Sequence, residues 1–231
     1  MRLYPVFLCV AACSLASSAA VLANGGGAMP SQPSSMAEPM RRSPAELAKA
    51  AYNSGVRSIK DAKEYDEDAI KADKDDKRTK YQGKAERAYE KALAQFMTAV
   101  QQDPDMYQAW NYVGFSLRHL GHYDESLHAY ARALELKPDY PDAIEYRGEA
   151  FLALNKTDAA KAAYMDLFAS SRPLADQLMA AMQRWVVARR SDAQSIEGID
   201  VEDFQHWIDE RTQIAKQTAS LATGAAAPAW R

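Results

Sequence analysis

Cysteine is almost missing from this chain of 231 residues: there are two, Cys9 and Cys13, and both lie near the N-terminus. Once the N-terminal segment is removed, no disulfide, thiolate nucleophile or cysteine-ligated metal is available, which suits an oxidising compartment. Glycine and proline are scarce at 10 each, while hydrophobic residues are ordinary at 48%, so one substantial folded core with appendages is expected. No basic excess exists. The net charge is −3, and residues 1–23 carry one base and no acid, so their loss takes it to −4. A nucleic-acid partner would favour a basic surface, and none is expected.

Histidines are few: His119, His122, His128 and His206. His119 and His122 straddle Gly121 with Asp124 nearby, but a zinc site needs three or four convergent ligands. Also missing are a glycine-rich phosphate loop, a G-x-S-x-G elbow and an H-E-x-x-H helix. Acidic pairs such as Asp75-Asp76 sit in a charged stretch, unlike the partly buried carboxylates of acid–base catalysis. Neither an enzyme activity nor a cofactor or metal is expected. A hydrolase or metalloenzyme would be revealed by metal in the purified protein or by turnover of envelope polymers.

What the chain does have is a strong central pattern from Tyr107 to Tyr140. Trp110, Val113, Gly114 and Leu117 fall at i, i+3, i+4 and i+7, one face of a helix. Gly121 supplies the left-handed residue that ends it. Tyr123-Asp124-Glu125 opens a second helix with acids at the positive end of its dipole. Leu127, Tyr130, Ala131 and Leu134 line that helix, and Pro138 stops it. Gly114 and Ala133, small residues inside helices, predict close approach of neighbours. Such a hairpin cannot bury its faces alone and needs copies of itself.

The spacing W-x2-V-G-x2-L, then Ser126-x3-Tyr130, Ala133 and Pro138, resembles a tetratricopeptide repeat, a unit of roughly 34 residues. Val113, Leu117, Ser126 and Tyr130 stand where the family has Leu, Tyr, Ala and Phe. The resemblance implies an all-α fold of antiparallel helix hairpins, stacked as a right-handed superhelix with a concave binding face and no chemistry.

Flanking copies extend the frame. Pro141 begins a third, degenerate repeat through residue 173, with Ile144, Arg147, Gly148, Phe151, Ala160 and Tyr164 in register. The first repeat, 44–106, starts with the capping box Ser43-Pro44-Ala45-Glu46. Its first helix carries Leu47, Ala51, Gly55, Ile59 and Ala62, and its second Ala92, Phe96, Ala99 and Pro104. Gly55 and Ala92 are 37 residues apart, against 12 between Gly114 and Ser126, leaving 25 extra. These are rich in Ala, Lys and Glu with opposite charges at i,i+4. Both helices should therefore be prolonged by about 12 residues, a spur of roughly 18 Å. Residues 62–84 of this spur are either an inert solvated projection or a docking arm. Two helices over 174–222 should form a terminal cap. The first would use Leu174, Leu178, Met182, Trp185 and Val186, the second Val201, Phe204, Trp207, Ile208 and Ile214. Residues 223–231 read as a frayed tail.

At the other end, Met1-Arg2, an apolar stretch and small residues ending Val21-Leu22-Ala23 read as a cleavable secretory signal over residues 1–23. Its alternative is a retained membrane anchor, since the run is long enough to span a bilayer. Val10-Ala11-Ala12-Cys13 is similar to a lipobox, whose acylation would tether the protein to a membrane. Residues 24–43 read as a flexible leader. A periplasmic or secreted location is expected, with a membrane-anchored lipoprotein as the alternative.

The resemblance also implies where a partner protein would bind. Inner-helix positions carried over by spacing are Tyr52, Asn53 and Val56; then Asn111, Tyr112, Phe115, Arg118 and His119; then Glu145, Tyr146 and Glu149. Some family members clamp a terminal carboxylate with Lys, Asn and Arg. Here Asn53 and Tyr112 remain at such places, but Tyr52 and Phe115 are not polar clamp residues, and Glu145 and Glu149 are acidic. Aromatic residues flanked by acids suit an extended apolar or basic segment instead.

Overall fold

Ser43 caps the first helix by accepting from the Glu46 N–H, and Glu46 reaches back to the Ser43 N–H at 2.7 Å, closing the box that the sequence spells. This computed structural model describes residues 42–191 and 200–222. The signal segment with Cys9 and Cys13, nearly all of the 24–43 leader, the 192–199 loop and the 223–231 tail lie outside them.

The described residues form eight helices. They are α1 (Pro44–Lys71), α2 (Asp75–Gln102), α3 (Tyr107–His119), α4 (Tyr123–Leu136), α5 (Pro141–Ala153), α6 (Thr157–Ser170), α7 (Arg172–Ser191) and α8 (Val201–Ala222). Consecutive helices pack as antiparallel hairpins, and the stack is an all-α repeat fold with a long first hairpin and a helical end pair. α1 runs 11 residues beyond the point matching the end of α3, and α2 starts 14 before the point matching the start of α4. At 1.5 Å per residue the projection is roughly 16–21 Å. Its ion pairs, Lys71–Glu67 at 3.1 Å and Arg78–Asp75 at 2.7 Å among them, are exposed. Such pairs contribute about 0–1 kcal/mol each. Tyr89 anchors the base of the spur by donating to Asp66 at 2.6 Å.

Turn chemistry differs between hairpins although the geometry is the same. Gly121 has φ +81°, and the N–H groups of Gly121 and His122 reach back to Arg118 and Leu117. In the next hairpin Asn155 takes the left-handed position at φ +60°, with Asn155 and Lys156 bonded to Leu152 and Phe151. Asparagine tolerates this region better than other side chains.

Three glycines let helices touch. A Cβ on Gly55 would lie 2.6 Å from Phe96, and one on Gly114 2.6 Å from Tyr130. On Gly148 it would lie 2.7 Å from Leu178 of α7 rather than against an aromatic ring of its own hairpin. Behind these contacts lie two apolar clusters, one in α1–α4 and one over α5–α8. Two apolar residues expected inside are outside: Ile214 on α8 is 37% exposed, and Leu47 on α1 is also exposed. Leu47 precedes the stretch of α1 in register with the other repeats, and Ile214 lies beyond the part of α8, around Phe204 and Ile208, that reaches the core.

Candidate partner-binding face

Helical spacing puts Asn111, Phe115 and Arg118 on one stripe of α3, and Asp142, Glu145, Tyr146 and Glu149 on one stripe of α5. Hairpin stacking turns those stripes toward each other. The odd-numbered helices form an inner layer: α3 packs on α5 and α5 on α7, and α1 meets α3 through Tyr52 and Tyr112, their rings 5.9 Å apart.

Aromatic side chains fill the near half of this layer. Tyr112 stacks on Phe96 at 4.9 Å, and Tyr52 meets the same ring edge-on at 5.7 Å. Phe115, expected on the open face, is instead 3% exposed. It is enclosed by Tyr112, His119 and Tyr146, with Lys63 Nζ 5.0 Å above its ring. Its place is core, because α5 and the prolonged α1 close over it. Asn111 at 1% and Glu145 at 2% exposure are likewise sealed between inner helices rather than displayed. His119 keeps an exposed edge while its ring stacks on Tyr89 at 4.4 Å. Desolvation, then the charges of Arg118 and Lys63, hold its pKa below the usual imidazole range. Asn53 is exposed, while Tyr52, Val56, Tyr112 and Tyr146 are half-buried.

Ions organise the far half. Arg118 pairs with Glu149 at 2.7 Å, with side chains 15% and 21% exposed, and Arg184 approaches the other Glu149 oxygen at 3.8 Å. One carboxylate thus ties α3, α5 and α7 together. Glu145 has no such ion pair among the described residues. Burial, then the nearby Glu149 charge, pushes its pKa up to about 8, with Asp142 adding and Arg118 and Arg184 opposing. Its Oε2 and the Oδ1 of Asn111 have no hydrogen-bond partner among the described residues. Buried acceptors left so cost about 1–3 kcal/mol each.

Several contributors were not legible in the sequence. Asp142 stands three residues before Glu145, a helical spacing that would have placed it on the same stripe. Tyr107 and Tyr140 meet edge-on at 5.0 Å across the α3 and α5 starts. Arg184 belongs to α7, which was expected only to cap the stack. As the seventh helix of an alternating series, it lies in the inner layer.

The signature residues hold the scaffold in place. Trp110 donates from Nε1 to the Pro104 carbonyl at 2.8 Å, pinning the turn before α3. Tyr130 and Ala133 are fully buried, and Tyr123 opens α4 as Pro138 follows it. Residues 107–140 match the model of the tetratricopeptide repeat family. No curated protein matches the chain. Residues 107–140 thus form a tetratricopeptide repeat, and the helical hairpins stacked on either side of it make an all-α repeat fold of the same kind.

Proposed function

We propose that this is a non-enzymatic scaffold or adaptor of the cell envelope that holds a segment of another protein against its inner face. Tetratricopeptide repeats generally mediate protein–protein interaction. The observation that carries the reading is the wall built by α1, α3, α5 and α7, where the half-buried rings of Tyr52, Tyr112 and Tyr146 stand with exposed Asn53 and the exposed edge of His119. Rigid, partly exposed aromatic side chains are the residues that anchor a partner segment. The envelope location rests on the sequence of residues 1–23, and no described helix is long and apolar enough to cross a membrane.

The test is in-cell crosslinking from a photoreactive residue placed at Tyr112, and separately at Ile70 on the spur tip, followed by mass spectrometry. Crosslinks from Tyr112 to a defined segment of one protein support the reading; crosslinks from Ile70 alone would move the partner surface to the spur. A lipid-anchored structural subunit is the second reading, carried by the Val10–Cys13 sequence. Cys13→Ala would release such a protein from membranes and leave a signal-cleaved one unchanged.

A further inference from the structure

Each inner helix of the stack is covered along one stripe by the next. Phe115 of α3 is buried against Tyr146 of α5, their rings 4.9 Å apart, and Ser116 beside it is fully buried. One repeat of 34 residues further on, Ala150 of α5 is fully buried, and Glu149 is held by Arg118 and, from α7, by Arg184. The same step again reaches Gln183 and Arg184 on α7, and both are exposed. α8 lies beside α6 in the outer layer, with Trp207 meeting Tyr164 edge-on at 5.5 Å, and leaves this stripe uncovered. Ala180, Gln183, Arg184, Val187, Ala188 and Ser191 line a shallow open groove of about 460 Å³ there. Val187 is 68% exposed.

A helix covers the corresponding stripes of α3 and α5, and the groove on α7 suits another. From Ala180 to Ser191 it runs roughly 17 Å, the rise of three helical turns. Ala180, Ala188 and Ser191 are small enough to admit a neighbouring helix at the usual axis separation of about 8–10 Å, and Val187 supplies an apolar knob. Charge decides which helix. Residues 177–191 include three arginines and no acid. Arg190 is engaged by Glu202 at 3.0 Å, and Arg189 lies over the Trp185 ring at 5.5 Å. Arg184 has a side chain 70% exposed and meets one carboxylate among the described residues, Glu149 at 3.8 Å, which Arg118 already holds at 2.7 Å. Its guanidinium therefore keeps donors for a further carboxylate. A second copy presenting the same stripe would set Arg184 toward Arg184 with no acid to balance them. The groove at the opposite end of the stack, where Leu47, Ser54, Arg57 and Gln102 are among the lining residues, brings another arginine and no acid.

We propose that the uncovered stripe of α7 binds an amphipathic helix of a partner protein, with an apolar residue on Val187 and a carboxylate on Arg184. The incoming helix takes the place that α5 takes on α3 and α7 takes on α5, so the inner layer is continued by one helix. Arg184 joins it to the Glu149–Arg118 pair and extends the line of ions that already ties the inner helices together. This surface goes beyond the tyrosine-lined wall around Tyr112 and does not depend on what that wall holds.

The experiment uses the chain from residue 24, which keeps every described residue, and three fluorescein-labelled, alanine-based helical peptides. They share leucine at i, i+3, i+7 and i+10 and differ only in the flanking positions, which are all glutamate, all glutamine or all lysine. Affinity is read by fluorescence anisotropy at about 0.15 M salt, where long-range charge effects are screened. The glutamate peptide is expected to bind tightest. Val187→Glu should weaken it about tenfold or more, as loss of a central apolar anchor does. Arg184→Gln should weaken it about fivefold, the upper reach of a partly exposed ion pair. Both side chains are exposed, so thermal melting of the two variants should match the parent. Lys71→Gln on the spur should leave binding unchanged. A photoreactive residue at Val187 should crosslink the glutamate peptide, and one at Tyr112 should not. No binding up to about 1 mM peptide, equal affinity for all three peptides, or binding indifferent to Val187→Glu overturns the proposal. Crosslinks from Tyr112 in place of Val187 also overturn it, while supporting the inner face as the partner surface. A dimer of the chain alone in sedimentation, dissolved by Val187→Glu, overturns it in favour of a second copy.

Discussion

Replacing Glu145 by glutamine preserves the shape of the side chain and removes a carboxyl sealed inside the inner layer. In the folded protein this group keeps its proton to about pH 8, against an ordinary value of 4.5. Between those values the folded state binds more protons than the unfolded chain, so stability falls as pH rises across the window and levels off above it. At about 1.4 kcal/mol per tenfold change in proton affinity, the full interval is worth about 5 kcal/mol in a rigid site. Relaxation and water entry reduce such penalties to roughly 2–4 kcal/mol. Glu145→Gln should therefore match the parent near pH 4. Near pH 9 it should exceed the parent by roughly 2–4 kcal/mol, a melting-point gain of roughly 4–16 °C for a chain of this size. Thermal unfolding followed by far-ultraviolet circular dichroism at several pH values measures the difference. Parallel melting curves for parent and variant from pH 4 to pH 9 would refute the reasoning and place Glu145 in contact with water.

Two further substitutions test the packing. Gly114→Leu forces a side chain into the fully buried Tyr130 ring, which a Cβ alone would approach to 2.6 Å. It should cost roughly 1–3 kcal/mol in urea unfolding. Gly148→Ala crowds the Leu178 methyls, the far end of a flexible side chain, and touches Ala163 Cβ at an ordinary 3.4 Å; it gains about 1 kcal/mol of helix propensity, so it should stay within about 1 kcal/mol of the parent. If Gly114→Leu unfolds like the parent, close helix approach is not why glycine stands there. Glu149→Ala strands Arg118, whose side chain is 15% exposed, and should cost about 1–3 kcal/mol. Lys71→Ala, which removes an exposed pair with Glu67, should change stability by less than about 1 kcal/mol. Equal effects from these two would mean that the Arg118–Glu149 pair is as solvated as the spur.

Local physics made much of the fold readable from the chain alone. Ser43 and Glu46 close a box because a hydroxyl and a carboxylate three residues apart reach the same orphan N–H groups. Gly121 ends α3 because a left-handed residue costs it little, and glycine at 55, 114 and 148 leaves room for a neighbour wherever hairpins repeat. The missing glycines and prolines between residues 56 and 82 likewise foretold the long first hairpin, since nothing there stops a helix.

Tertiary structure decided what each face meets. Helical period shows that Phe115 and Glu145 share stripes with Arg118 and Glu149. It does not show that α5 and the prolonged α1 close over the first, or that α3, α5 and α7 seal the second. Tyr107 and Tyr140, 33 residues apart in the chain, meet only because the starts of α3 and α5 come together. The inner position of α7 arises in the same way, from the alternation of stacked hairpins. A sequence records which side chains point the same way along one helix, because that depends on a fixed rotation per residue. What lies opposite them depends on how separate helices settle against one another, and that is fixed only when the whole stack forms.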